Sequence, residues 1–299
     1  MTTWDLEIRK GWAVGLSIAV VFLLLTTGFT LLAVTRPVTL LTFILGLAAI
    51  AALLCAAVLG YWLWGLINAS YVMDRNAIVI HWGSNEHQIP MNAVRAVSAG
   101  AELQNVRLRR GLRWPGHFVG LGNAEGLESI LFYATVPPAQ QIIVQTETMA
   151  YALSPQDSEG FLAALLERLE MGATQEVEEL SHHPAFLDWQ IWRDTAALGL
   201  LAGSALTFLL LLGLLCWRYP FLPPRIAMQF TATGEPLLIA DAARIFYLAL
   251  IGLIFLLFNG GLGLFLYYRE RMAAYFIWTG LLILQLGLWV AVIAILLLQ

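Results

Sequence analysis

The residue types that most often do chemistry in proteins occur in this chain without the spacing of a known catalytic or metal site. The sequence has no H-E-x-x-H, no G-x-S-x-G and no glycine-rich phosphate loop. Adjacent His182 and His183 are candidate metal ligands, but zinc sites draw spaced donors from several elements, and no Cys or third His lies nearby. We therefore expect no catalysis, no metal and no cofactor.

One basic cluster with an aromatic neighbour could bind a ligand, and it consists of Arg107, Arg109, Arg110, Arg113 and Trp114. In a predicted loop, these arginines could contact anionic lipid headgroups or a partner, with Trp114 at the membrane interface. Alternatively, they form a solvated loop and pair with nearby carboxylates. Residues 69–194 carry eight Arg against fifteen Asp or Glu, a net charge of −7, so any docking to an anionic surface must be local.

The elements that carry these residues belong to a chain rich in apolar residues. It is 60% hydrophobic and only 12% charged, with a mean hydropathy of +0.76 and a net charge of −4, which fits a membrane protein and disfavours nucleic acid as a partner. Five runs reach the roughly 20 apolar residues that span a bilayer. They are residues 12–34, 38–67, 196–217, 245–267 and 274–298. The first is too long for a signal peptide and is predicted to be a retained anchor, joined to the second as a tight hairpin.

No Asp, Glu, Lys, Arg or His lies inside these runs, which disfavours proton or ion coupling. Asn259 and Gln285 are the strongest polar side chains at membrane depth, and we expect them to form hydrogen bonds between helices rather than substrate contacts. Gly11 and Gly15 match G-x-x-x-G, which permits close helix approach.

The distribution of Arg and Lys near the span ends predicts the orientation. A cytoplasmic N-terminus places six cations inside, namely Arg9, Lys10, Arg75, Arg193, Arg269 and Arg271. The outer side then receives four, namely Arg36, Arg218, Arg225 and Arg244. The excess favours a cytoplasmic N-terminus and a cytoplasmic domain between the second and third spans.

This domain, residues 69–172, is predicted to be an inserted α+β fold of short antiparallel strands closed by one helix. Ile78, Ile80 and Trp82 alternate with Val79 and His81, and Gly83 begins the turn of a hairpin that ends at Pro90. Further strands are predicted at 93–97, 127–135, 141–146 and 149–153. A helix is predicted at 155–171, with Ser154 as its N-cap and Pro155 as its first residue.

At these residues the sequence resembles the bacterial pleckstrin-homology-like (PH-like) domain family, in particular its membrane-tethered members. The resemblance is carried by Ile89-Pro90, Gly111-x-Arg113-x-Pro115-Gly116, Tyr133-Ala134-Thr135, Tyr151 and Ser154-Pro155-x-Asp157-x-Glu159-x-Phe161. It implies a sharply bent antiparallel sheet or barrel capped by a C-terminal helix, generally used for interaction or assembly rather than catalysis.

The loop between the third and fourth spans, residues 219–243, contains four prolines and is expected to face the outside. Residues 196–270 resemble a domain of unknown function found in bacterial immunity factors against sporulation-delaying toxin. That family has His, Asn and Asp where Gln229, Thr231 and Leu237 stand here, so its immunity activity is not transferred. The loop could serve extracytoplasmic recognition or be purely structural, and its candidate recognition residues are Arg225, Gln229, Gly234 and Glu235.

We therefore predict a multi-pass cell-membrane protein with four parts: a transmembrane hairpin (1–68), the PH-like domain (69–172), an acidic linker (173–195) and a three-helix region (196–299). We expect a non-enzymatic module that binds membrane or cytoplasmic proteins, or itself, at the bilayer. The alternatives are an envelope-stress sensor or peptide-immunity protein that uses residues 219–243, and a small-solute carrier.

Overall fold

The computed structural model describes residues 1–175, 177, 180–182, 189–231 and 235–298. Within these ranges, five helices are long and apolar enough to cross a membrane, which confirms the five predicted apolar spans as helices. The shortest has 22 residues, which at about 1.5 Å per residue exceeds the ~30 Å of a hydrocarbon core. The helices are α1 (Arg9–Val34), α2 (Leu40–Ile67), the short α3 (Ser158–Met171), α4 (Thr195–Arg218), α5 (Phe246–Tyr267) and α6 (Arg271–Leu297).

The strands form three sheets. They are β1 (Thr2–Trp4), β2 (Ser70–Met73), β3 (Ala77–Trp82), β4 (Asn85–Pro90), β5 (Val94–Ala99), β6 (Arg107–Trp114), β7 (His117–Ala124), β8 (Leu127–Ala134), β9 (Ile142–Thr146), β10 (Ala150–Leu153), β11 (Leu180–His182), β12 (Arg225–Phe230) and β13 (Pro236–Asp241).

The first sheet is antiparallel, in the order β1-β2-β3-β4-β11, and contains the predicted hairpin as β3 and β4. Its first strand precedes α1 in the chain, yet pairs with β2 directly after α2. Leu6 is buried in the core of the same domain. The prediction of a self-contained insertion between two helices is therefore wrong, because the N-terminal segment completes the sheet. At the other edge, part of the predicted acidic linker pairs with β4 as β11.

The second sheet has the order β5-β9-β10-β8-β7-β6 and is mixed. Strand β10 is antiparallel to β9 but parallel to β8, so the prediction of a wholly antiparallel sheet is wrong. The physical reason is a crossover connection. After β8 the chain skips one strand position to form β9, and β10 then fills the position between β8 and β9. Alternation of apolar residues predicts a strand but does not predict which neighbour it pairs with.

Helix α3 packs on the domain through Phe161 and Leu165, both fully buried. It begins at Ser158, later than predicted, and its N-cap is Asp157, whose Oδ1 accepts a hydrogen bond from the Gly160 N–H at 2.9 Å. Ser154 is not the cap because its hydroxyl accepts from the Thr135 N–H at 2.7 Å, and Pro155 forms a β-bridge with Leu6. These contacts hold the chain extended before the helix.

The chain divides into two compact units, residues 1–25 with 52–187 and residues 26–51 with 188–299. The first contains the two large sheets and α3. In the second, α4, α5 and α6 share an apolar core that includes Leu211, Ile245 and Val292. The residues between α4 and α5 form the hairpin of β12 and β13.

Candidate functional site

The start of α1 packs closely against the domain through a hydrogen bond and a close backbone contact. The indole Nε1 of Trp114, at the end of β6, donates a hydrogen bond to the carbonyl oxygen of Gly11 at 2.8 Å. A Cβ added to Gly11 would lie 2.0 Å from the carbonyl oxygen of Gly116, so only glycine permits this approach. Gly15 faces Leu63 of α2 and also Trp114. The G-x-x-x-G pair therefore serves the contact between helix and domain as well as contact between helices.

A histidine is buried beside this contact. His117 is fully buried, stacks on Trp114 with ring centroids 3.8 Å apart, and meets Trp62 and Trp82 edge to face. Its Nδ1 donates to the carbonyl oxygen of Leu112 at 3.3 Å, whereas its Nε2 has no hydrogen-bond partner within the described part of the chain. Burial lowers the pKa of His117 from 6.5 to about 4, so the ring is neutral at pH 7.

The predicted arginine loop is a strand. All four arginines lie on β6, the last strand of the mixed sheet, and all are exposed. The loop prediction is wrong because low-propensity glycines interrupt the strand: Gly111 and Gly120 pair across β6 and β7 with φ of 143° and 140°. Trp114 is only 7% exposed, so it is part of the helix contact and not a free interfacial side chain.

The structure also separates the arginines into two places. Arg107 and Arg109 flank a shallow concavity with Glu125, and the Nε of Arg109 donates to Asn123 Oδ1 at 3.1 Å. Arg113 lies at the other end of the strand, about 20 Å away at ~3.3 Å per residue. The four side chains therefore do not form a single cluster.

Arg113 lines a groove of about 660 Å³ at the base of the domain. The groove also contains Lys10 and Glu7 from the start of α1, and its walls include Trp114 and Phe118. The sequence analysis missed Glu7 and Lys10 as site residues. The available signal was Gly11: a glycine at the head of an apolar helix indicates that another backbone comes close.

The extracytoplasmic candidates lie on the β12–β13 hairpin. In the strand register Arg225 lies opposite Asp241, and Gln229 lies opposite Leu238 at a register shift. Arg225, Gln229 and Glu235 are all exposed. Gly234 lies outside the described residues. Strand β13 exposes apolar side chains on both of its faces, with Leu237, Leu238 and Ile239 at 67%, 44% and 61% exposure.

The two polar residues at membrane depth have different surroundings. Gln285 on α6 is fully buried, and its Nε2 donates to the carbonyl oxygen of Gly252 on α5 at 2.9 Å, an interhelical hydrogen bond as expected. Asn259 on α5 is half-buried, and its side chain makes no hydrogen bond to any described residue.

An aspartate that the sequence analysis did not single out joins the three C-terminal helices. Asp194 caps α4 by accepting from the N–H groups of Ala196 and Ala197. It also accepts from the Tyr267 hydroxyl at 2.7 Å and from the Tyr275 hydroxyl. The Tyr275 hydrogen bond is the largest of the effects that lower the pKa of Asp194 to about 2.

Among the described residues, no group of three or more His, Cys, Asp or Glu side chains could hold a metal ion. His183 lies outside the described residues. The groove at the base of the domain places two cations, Lys10 and Arg113, beside apolar walls.

Comparison with curated proteins and with solved structures gave no match. Comparison with family models gave a match that ends at residue 169, so it does not extend to the predicted resemblance of residues 196–270. The match covers β6 and the buried histidine, whereas β1 and the groove residues Glu7 and Lys10 lie outside it. Residues 69–169 match the family model described as a bacterial PH domain.

Proposed function

We propose that the five helices anchor the PH domain at the cytoplasmic face of the cell membrane, where it acts as a non-enzymatic module that binds another protein. The pairing of β1 with β2 supports one part of this topology. It holds the segment before α1 and the segment after α2 in one sheet, so both lie on the same side of the bilayer. The six-to-four excess of cations supports the cytoplasm as that side.

The observation that carries the binding role is the free edge of β6. This strand has eight residues, ends the mixed sheet and has no strand partner on its outer side among the described residues. Such an edge can accept an extended segment of another protein through main-chain hydrogen bonds. Its exposed arginines oppose indiscriminate pairing and favour an acidic segment.

Site-specific photocrosslinking in native membranes tests the proposal. A photoreactive residue at Arg109 should give a discrete adduct with a protein partner, whereas the same residue at Glu167, exposed on α3, should not. The adduct should weaken in an Arg107→Glu variant, because the reversed charge repels an acidic segment. Equal labelling from both positions, or no adduct from Arg109, would rule out β6 as the binding edge.

A second candidate function, recognition of a peptide on the outer side, is favoured by the exposed apolar side chains of β13. A strain whose protein carries Leu237→Ser and Ile239→Ser should then become as sensitive to sporulation-delaying toxin as a strain that lacks the protein. Unchanged resistance in this variant would exclude the hairpin as the recognition surface.

A further inference from the structure

The groove at the base of the domain brings together two cations that are distant in the sequence. Lys10 lies in the first turn of α1 and Arg113 lies near the end of β6, and both line the same groove of about 660 Å³. The hydrogen bond from Trp114 to Gly11 fixes these two elements against each other. The groove exists only where this helix meets this strand, so an isolated PH domain would lack Glu7 and Lys10.

The charges in the groove are available to a ligand. The ion pairs formed by described residues are His81 with Glu86 and Arg95 with Glu147, so neither Lys10 nor Arg113 is neutralised by a carboxylate. Glu7 supplies the single negative charge of the lining. The groove therefore has a net charge of +1, whereas residues 69–172 carry seven Arg against ten Asp or Glu.

The position of Lys10 indicates where such a ligand comes from. It precedes a 26-residue apolar helix, and a cation at that place lies at the level of the lipid headgroups when the helix spans the bilayer. The groove also has apolar walls, among them Trp114, Pro115 and Phe118, which suit the glycerol and upper acyl carbons of a lipid better than a free phosphate ion.

We propose that this groove binds a glycerophospholipid whose headgroup carries a net negative charge. Lys10 and Arg113 donate to the phosphate oxygens, whereas the negative charge of Glu7 repels the phosphate and weakens the binding. The proposal rests on the membrane-spanning placement of α1 but not on a protein partner for β6, so either can fail without the other.

Native mass spectrometry of the full chain in mild detergent tests this site. Phosphatidylglycerol and phosphatidylcholine are added together, and we expect one phosphatidylglycerol to be retained preferentially. A variant with Lys10→Gln and Arg113→Gln should bind it about 30-fold more weakly. The matched control, Arg36→Gln with Arg244→Gln, removes two exposed cations at the predicted opposite bilayer surface and should keep the preference.

A second variant keeps both cations and does not depend on the folding of the first. Glu7→Gln removes the one carboxylate and should tighten phosphatidylglycerol binding about fivefold. Retention of the preference in the double variant, its loss in the control, or unchanged binding in Glu7→Gln would each overturn the site. Displacement of the lipid by an equal concentration of glycerol 3-phosphate would show a soluble phosphate site instead and would also overturn the proposal.

Discussion

At the scale of single residues, the buried imidazole of His117 makes the stability of the domain depend on pH. The ring is neutral in the folded protein down to about pH 4, whereas an unfolded chain binds a proton near pH 6.5. Between these values the unfolded state binds more protons, so the stability falls as the pH is lowered and is fully present above pH 6.5. Three tryptophans enclose the ring and keep water from it.

We predict that unfolding of the full chain in detergent becomes easier as the pH falls from 6.5 towards 4, by roughly 3 kcal/mol over the window. A His117→Phe variant retains the aromatic stacking and cannot be protonated, so it should lose much less stability over the same window. Thermal unfolding at pH 7 and pH 5 measures the difference. Equal pH dependence in both proteins would show that other groups titrate in this range.

A second residue-scale prediction concerns Gly11. A valine at this position would drive its Cβ into the Gly116 carbonyl oxygen, 2.0 Å away in the present backbone, and should destabilise the first unit by roughly 1–3 kcal/mol. Gly28 on the same helix has nothing within 4 Å of an added Cβ, so Gly28→Val is the matched control and should unfold like the parent. Comparison of the two melting temperatures checks the claim, and similar values would contradict the close contact.

At the scale of elements, the predictions that succeed are those in which one local signal dominates. The spans follow from long apolar runs, and β3 and β4 follow from alternation around the turn at Gly83. Strands β6 and β7 escape prediction because glycines such as Gly111 and Gly120 carry no strand signal. A Cβ on Gly111 would lie 2.2 Å from the Val119 carbonyl oxygen, so the close pairing of β6 with β7 requires glycine at this position. The same glycine removes the strand signal from the sequence.

The packing of α5 on α6 gives an element-scale prediction. An alanine at Gly263 would place its Cβ 2.1 Å from Nε1 of the fully buried Trp278, whereas Gly261 has open space at the same point. We expect Gly263→Ala to destabilise this helix pair by roughly 1–3 kcal/mol and Gly261→Ala to have little effect. Resistance of the full chain to unfolding by a denaturing detergent measures both variants. If both lose stability alike, the cause is not the contact with the Trp278 side chain.

At the scale of the whole molecule, the site depends on residues whose separation in the sequence is large. Lys10 and Arg113 line one groove, and β1 pairs with β2 across the whole of α1 and α2. Composition and periodicity predict membrane helices and a strand-rich domain, but they do not indicate which distant segments of the chain pair with each other. The four candidate arginines are exposed, but their division between the two ends of β6 follows only from the fold, and their role in binding stays a prediction.

The proposed topology, a PH domain anchored at the inner face of the membrane by helices that cross it, predicts which exposed residues reagents can reach from outside the cell. In a background with Cys55 and Cys216 replaced by alanine, single cysteines are placed at Glu167 on α3 and at Gln229 on β12, both exposed. Labelling of intact cells with a membrane-impermeant maleimide is the most direct measurement. We predict that Gln229→Cys is labelled in intact cells and Glu167→Cys only after permeabilisation. Labelling of Glu167→Cys in intact cells, or of both positions alike, would rule out this topology.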